Sequence, residues 1–376
     1  MGSDKAALVL TGGGARAAYQ VGVLGALREL WGHREGNPFP ILCGTSAGAI
    51  NAVALATYAH DFSLAVRKVA WIWRHFHVDQ VYRADAASLL ATGARWGGAL
   101  LTGWLVRQTP RSLLDNAPLE RLLGATIDFS AIGRAIDERH LHAVSVTVSG
   151  YTSGESLAFF QAADGVGGWR RAQRLGVRAT LGIPHLMASS AIPFVFPAVR
   201  INREYFGDRS MRQLAPISPA VHLGAQRILV VGSGRLSEEG RQQADAYPSL
   251  AQIAGHAMSS IFLDSLAVDL ERLERINKTV GGLSDAQRSA AGINLRPIEA
   301  LVISPSRRID AIAGHHRKSL PRGMRLVLGG VGGMRRSGST LLSYLLFEPG
   351  FTRALMSLGY EDTMAQRHAV EDFLRL

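Results

Sequence analysis

Two glycine-rich turns, each set between a short apolar run and a helix-like stretch, constrain this chain more than any other feature. Ala6-Ala7-Leu8-Val9-Leu10 runs into Thr11-Gly12-Gly13-Gly14, and helical spacing follows from Ala15 to about Leu30. After a loop at Gly36–Pro40 the pattern repeats. Ile41–Cys43 is a second short strand, Gly44-Thr45-Ser46-Ala47-Gly48 a second turn, and Ala47–Ala59 a small-residue helix. Strand, glycine turn and helix, twice over, predict an α/β fold, because strands covered on both faces read as continuous apolar runs. Further strands are expected at Leu141–Val148, Leu157–Gln161, Ala198–Phe206, Arg227–Val231 and Glu299–Ile303.

The remainder reads as helices and loops. Asp61–Arg121 has helical spacing broken by Gly93, Gly97, Gly98 and Gly103. A long amphipathic helix is expected from Ser249 to Ile276, with Pro248 marking its start. Gly232–Tyr247, Asn277–Arg296 and the basic stretch Arg307–Arg325 read as surface loops, whereas Leu341–Leu346 and the chain from Ala354 onward are helical. No internal repeat or low-complexity linker divides the chain, which favours a single domain with insertions.

Composition sets the outer bounds. With 376 residues, 47% hydrophobic and 19% charged, the chain can bury a sizeable core and does not read as disordered. Its one cysteine, Cys43, excludes a disulfide framework or a cysteine-rich metal site and reads as a small buried residue. No apolar run reaches the roughly 18 residues of a membrane span. The first residues lack a secretory pattern, and Ala6 stands where a myristoylation signal wants Ser or Thr. The expectation is a cytoplasmic protein able to touch a membrane peripherally. Net charge is +11, and all but four of the 41 cations are arginine. That excess attracts polyanions such as a membrane surface, nucleic acid or an acidic partner, but genome composition gives the same bias.

The chemistry concentrates in the two turns. Gly44-Thr45-Ser46-Ala47-Gly48 follows a strand and opens a helix, the context of a nucleophile elbow. Gly44 and Gly48 leave room for a tight crossing, and the helix N-terminus favours an alkoxide. A strand-to-helix turn capped by Ser or Thr fits the same five residues. Gly12, Gly13 and Gly14 let backbone N–H groups converge on an anion. Gly12-x-Gly14-x-x-Ala17 also fits a dinucleotide fingerprint, but that needs an acid at the end of the second strand, where Cys43-Gly44-Thr45-Ser46 stands. Gly333 to Thr340 approaches a phosphate loop, yet Ser339 occupies the lysine position. His315-His316 and His140-x-His142 lack the carboxylates of a metal set.

Gly12-Gly13-Gly14-Ala15-Arg16 after the first strand, followed about thirty residues later by the Ser46 elbow, resembles the patatin-like phospholipase family. Met187-Ala188-Ser189-Ser190-Ala191-Ile192-Pro193-Phe194-Val195-Phe196-Pro197 resembles the family's S-x-x-I-P-x-x-F-P segment. Tyr205-Phe206-Gly207-Asp208-Arg209-Ser210, with Pro216-Ile217-Ser218-Pro219-Ala220 behind it, is similar to the block carrying the family's catalytic aspartate. The four blocks stand in order across residues 6 to about 232.

The resemblance implies a three-layer α/β sandwich, its mostly parallel central sheet covered by helices on both faces, plus a helical C-terminal extension. Residues 1–235 would form the catalytic domain and 236–376 a mainly helical extension packed on it. Within 61–121, Trp71, Trp73, Trp96 and Trp104 beside Arg67, Arg74, Arg95 and Arg107 read either as a helical lid touching the membrane or as core aromatics.

The activity implied is hydrolysis of phospholipid or lysophospholipid esters through an acyl-enzyme. Ser46 would be the nucleophile, Asp208 the general base, and Gly12, Gly13, Gly14 and Arg16 the oxyanion region. No cofactor, metal or nucleic acid is implied. The family's Asp-Gly-Gly or Asp-Gly-Ala is here Asp208-Arg209-Ser210, and a cation beside the base would lower its basicity. A lipid acyltransferase using Ser46, or a catalytically weak membrane- or partner-binding protein, are the alternatives. His222, His256, His315, His316 and His368 are candidates for an ordinary triad, ranked below the dyad; His222 and His256 fall on helices without a distinctive loop context and read as structural.

Overall fold

The computed structural model describes residues 5–84, 112–208, 215–235, 247–290, 292, 295–335 and 338–376. Its first half comprises β1 (Ala6–Leu10), α1 (Ala18–Trp31), β2 (Ile41–Thr45), α2 (Ala47–Ala56), α3 (Phe62–Arg74), α4 (Ala117–Thr126), α5 (Ser130–Asp137), β3 (Ala143–Gly150) and β4 (Ser156–Ala162). There follow β5 (Trp169–Arg171), β6 (Arg174–Arg178), α6 (Ile183–Ser189), β7 (Val199–Ile201), β8 (Glu204–Gly207), α7 (Ser218–His222) and β9 (Arg227–Val231). The C-terminal part adds α8 (Leu250–Gly281), α9 (Asp285–Ala290), β10 (Glu299–Ile303), α10 (Ile309–His316), α11 (Arg322–Gly330), α12 (Ser339–Leu345), α13 (Pro349–Ala365) and α14 (Arg367–Leu374).

The sheet runs β10-β9-β1-β2-β3-β4-β6-β5, with the β7–β8 hairpin joined to β3. From β10 to β3 every pairing is parallel. The alternation of side chains across a strand then divides the core in two. Leu8, Leu10, Leu42, Val144 and Val146 pack with the helical side chains of α1 and α2. Ala7, Val9, Ile41, Cys43 and Val230 pack on the other face against Ala220 of α7 and Leu266 and Leu273 of α8. Helices therefore cover both faces of a mostly parallel sheet, as the sequence led one to expect.

Local chemistry starts several of these helices. The Asp61 side chain accepts a 2.8 Å hydrogen bond from the Leu64 N–H at the head of α3. Ser249 caps α8 by accepting from the Gln252 N–H at 3.2 Å. In the C-terminal part β10 extends the sheet beyond β9, and α13 lies against α1 so closely that a Cβ on Gly22 would meet the Met356 carbonyl oxygen at 1.9 Å. The Tyr19 hydroxyl seals that contact by donating to Asp362 Oδ2 at 2.9 Å.

Several boundaries depart from expectation. The single strand expected at Ala198–Phe206 is a hairpin, turned at Asn202 with φ 54°. β5 and β6 escaped the pattern because arginines occupy them; β6 forms by pairing with β4, and β5 by pairing with β6. The basic stretch Arg307–Arg325 is not a loop but holds α10 and the start of α11, and α8 runs on to Gly281, with α9 beyond it. Of the Trp- and Arg-rich segment, residues 85–111 lie outside the described residues. Among the described residues no helix is long and apolar enough to cross a membrane.

Candidate active site

The site forms where β1 and β2 end side by side, with Leu10 level with Gly44. Ligands gather at such carboxyl ends in open α/β sheets because the turns there face outward with free backbone groups. Ser46 is the hinge between β2 and α2, at φ 55° and ψ −132°. A non-glycine residue held in that region stores about 1–3 kcal/mol of strain. The flanking glycines explain how the turn closes. A Cβ on Gly48 would stand 2.3 Å from the Leu10 carbonyl oxygen, and one on Gly44 only 2.4 Å from Ala49 Cα.

The elbow is braced from the Met187–Pro197 block. The Ser46 N–H donates to Ser189 Oγ at 2.8 Å, and the Ser189 hydroxyl donates onward to the Thr147 carbonyl of β3 at 2.7 Å. Ser46 is 2% exposed. Its neighbours Ala47 and Gly48 open α2, where backbone N–H groups lack intrahelical acceptors.

The glycine loop after β1 lies beside it. Gly14 has φ 54°, and a Cβ there would meet the Tyr344 carbonyl oxygen at 2.4 Å. The Gly12 carbonyl accepts from the Ser233 hydroxyl, and the Gly13 carbonyl from the Arg16 N–H at 3.0 Å. Arg16 is buried, but its guanidinium turns toward the C-terminal part. Nε donates to Ser343 Oγ at 2.7 Å, and the guanidinium carbon sits 4.1 Å from the centre of the Tyr344 ring. Stacking on an aromatic face satisfies a cation that would otherwise be costly to bury.

Ser46 and Gly14 line one cavity of about 660 Å³. Its walls are apolar and aromatic: Ile50 and Ala54 of α2, Leu119 and Leu123 of α4, and Ile192 and Phe196 among them. One wall is an aromatic cluster in which the Phe347 ring lies 5.6 Å from Phe76 and 6.4 Å from Trp73 and Tyr82. Trp73 also ties the wall to the glycine loop. Its indole N–H donates to Asn51 Oδ1 at 2.8 Å, Asn51 Nδ2 donates to Gln20 at 3.1 Å, and Gln20 to the Thr11 carbonyl at 2.6 Å. The lining residues at the inner end, Ser46, Ser190 and Tyr344, are buried; those at the outer end, Arg67, Lys68, Trp71, Ala125 and Thr126, are exposed.

Asp208 follows β8 and is 1% exposed, its N–H donating to the Ala191 carbonyl at 2.8 Å. Its charge is felt by Tyr151 and Tyr344. Burial first, then the charge of Asp208, pushes the Tyr151 hydroxyl up. In Tyr344 burial dominates and raises the hydroxyl, Arg16 and a hydrogen bond with Ser259 oppose it, and Asp208 raises it further. Asp208 thus stands within electrostatic reach of Tyr344, which shares the cavity with Ser46. Arg209 and Ser210 lie outside the described residues.

The candidate histidines sit elsewhere. His222 is on the far face of the sheet, stacked on Trp169 at 4.9 Å and bonded through Nδ1 to the Ser218 carbonyl. His256, His315 and His368 are exposed, and His316 lies against Phe351. None is among the lining residues described for the cavity. The stretch Gly333–Thr340 follows a helix rather than a strand, which is not the setting of a phosphate loop. Tyr344 and Phe347 escaped the sequence reading, since a Tyr and a Phe at helical spacing look like ordinary core.

The site thus joins a buried serine on a strained strand-to-helix turn, a glycine loop at its side and an apolar cavity. A patatin-like phospholipase family model matches residues 8–221, and the chain belongs to that family of lipid acyl hydrolases. The patatin-like phospholipase domain-containing protein ZK370.4 of Caenorhabditis elegans is 40% identical over 95 residues, 24% of this chain and 6% of that protein. The chain therefore matches only a small part of that relative. The crystal structure of VipD from Legionella pneumophila aligns over 97% of this chain and 67% of that one at 13% identity, with a TM-score of 0.38.

Proposed function

We infer that this protein hydrolyses acyl esters of phospholipids or lysophospholipids with Ser46 as nucleophile and Asp208 as general base. The observation that carries the reading is the strained, buried Ser46 at the inner end of an apolar cavity. Asp208 takes the serine proton as Ser46 Oγ attacks the ester carbonyl. Backbone N–H groups of the glycine loop and the head of α2 hold the oxyanion, each such donor contributing about 3–4 kcal/mol in preorganised sites. The leaving alcohol takes up the proton, and water, deprotonated by Asp208, hydrolyses the acyl-serine. The fatty acyl chain fills the cavity, whose walls offer carbon to carbon. The substrate resides in a bilayer or micelle, so the enzyme works in peripheral contact with a lipid surface, which a net charge of +11 favours when that surface is anionic.

A fluorophosphonate probe tests the pairing directly. Mass spectrometry should place the adduct on Ser46, and Asp208→Asn should slow labelling by about 10²–10⁴-fold, the usual contribution of a general base. Labelling that is as fast in Asp208→Asn as in the wild type would remove Asp208 from the mechanism. An acyltransferase would also be labelled; added acceptor alcohols that divert product from free fatty acid would separate it.

A further inference from the structure

The cavity opens beside a helix whose outer face is suited to a lipid surface. α3 buries Phe62, Ala65, Val66, Val69 and Trp73 in the core. Its other side exposes Arg67, Lys68, Trp71 and Arg74, linked by spacings of three, four and seven residues along one side of the helix. Trp71 is 65% exposed, unlike Trp73 two residues on, which is 4% exposed. α3 contains no acid, and Asp61 ahead of it is engaged by the Leu64 N–H. Among the described residues no ion pair involves Arg67, Lys68 or Arg74. Three of these exposed residues, Arg67, Lys68 and Trp71, also line the cavity mouth.

We propose that this face of α3 is the docking surface for an anionic bilayer. It seats the cavity mouth on the membrane, so that acyl chains pass from bilayer to cavity without crossing water. The proposal rests on the hydrolase reading above and places its membrane contact. Each feature has a role in the fit. The cations meet lipid phosphates, the indole of Trp71 sits at headgroup depth where an amphipathic ring is favoured, and the apolar mouth faces the acyl layer. Neither an exposed tryptophan nor surface arginines alone would single out this face. Their meeting at the mouth of the cavity does.

Binding can be read without turnover by co-sedimentation of the Ser46→Ala protein, so an inactive enzyme leaves this test intact. Phosphatidylcholine vesicles are compared with three-to-one phosphatidylcholine–phosphatidylglycerol vesicles. Tighter binding to the anionic vesicles is expected. Arg67→Gln with Lys68→Gln should weaken it roughly 30-fold, each cation at the surface counting for about fivefold. Trp71→Ala should weaken it several-fold. Arg170→Gln with Arg171→Gln, exposed on β5 at the sheet edge, removes the same charge elsewhere and should have a much smaller effect. The substituted side chains of α3 and β5 are all exposed, and matching thermal melts confirm that the variants fold. Equal binding to both vesicle types, or a β5 control that loses as much as the α3 pair, overturns the proposal. So does an absence of binding to either vesicle type, which would leave this face of α3 to an acidic protein.

Discussion

At the scale of single residues, the elbow depends on atoms that are absent. Gly48 carries no side chain because the β1 backbone passes where Cβ would be, with Leu10 and Thr11 carbonyl oxygens at 2.3 and 2.5 Å. Gly48→Ala must push one strand of the central sheet aside. A loss beyond the usual 1–3 kcal/mol of overpacking is expected, read as a large fall in melting temperature or in folded yield. A stable, active Gly48→Ala would show that the crossing is looser than described. Arg16 makes a second test. Its guanidinium is bound to Ser343 and stacked on Tyr344, so it clamps α12 onto the glycine loop rather than facing the cavity. Tyr344→Leu should lower kcat about tenfold with little change in KM, because a misplaced loop costs transition-state stabilisation. Tyr344→Phe keeps the aromatic face and should recover most of the rate. The elbow and loop glycines were legible in the sequence because close backbone crossings leave only glycine. Tyr344 was not, since nothing in a helix pattern tells which buried aromatic faces a cavity.

Among the elements, strands that are apolar throughout were readable and those that rely on neighbours were not. β1, β2 and β9 lie inside the parallel sheet and declare themselves by composition. β6 contributes Arg174 and Arg178, and its pairing with β4 and β5 makes it a strand. The β7–β8 hairpin hides a turn at Asn202, a residue type that tolerates positive φ without advertising it. The packed histidines give these elements a shared pH response. Burial, the first cause in each, holds His142, His185, His222 and His316 below the usual histidine range; like charges add to it in His142, His222 and His316, and backbone hydrogen bonds partly offset it in His142, His185 and His222. The unfolded chain protonates near pH 6.5 and the folded protein only at lower pH, so the unfolded state binds more protons in between. Stability should be full above about pH 6.5 and fall on acidification through the depressed folded values. Melting temperatures at about pH 7.5 and about pH 5.5 should show that drop, reduced in His222→Phe, which keeps the stack on Trp169. A melting temperature that holds or rises on acidification would contradict it.

For the molecule as a whole, the family match ends at residue 221 but the site does not. β10 adds a strand beyond β9, α13 covers α1, and Tyr344 and Phe347 complete the cavity wall. A fragment ending at residue 235 would expose the edge of β9 and the apolar face of α1. Calorimetry on it should show no cooperative transition, and a sharp two-state melt would mean that the catalytic fold stands alone. The sequence placed the four motif blocks yet could not show that the C-terminal helices close the site, because that contact joins residues more than three hundred positions apart, as between Arg16 and Ser343. The most direct test of the central reading is fatty-acid release from mixed phospholipid and lysophospholipid vesicles, with wild type set beside Ser46→Ala and Asp208→Asn. Release by the wild type that vanishes in Ser46→Ala and drops by about 10²–10⁴-fold in Asp208→Asn is the expected result. Release that persists unchanged in Ser46→Ala would contradict it.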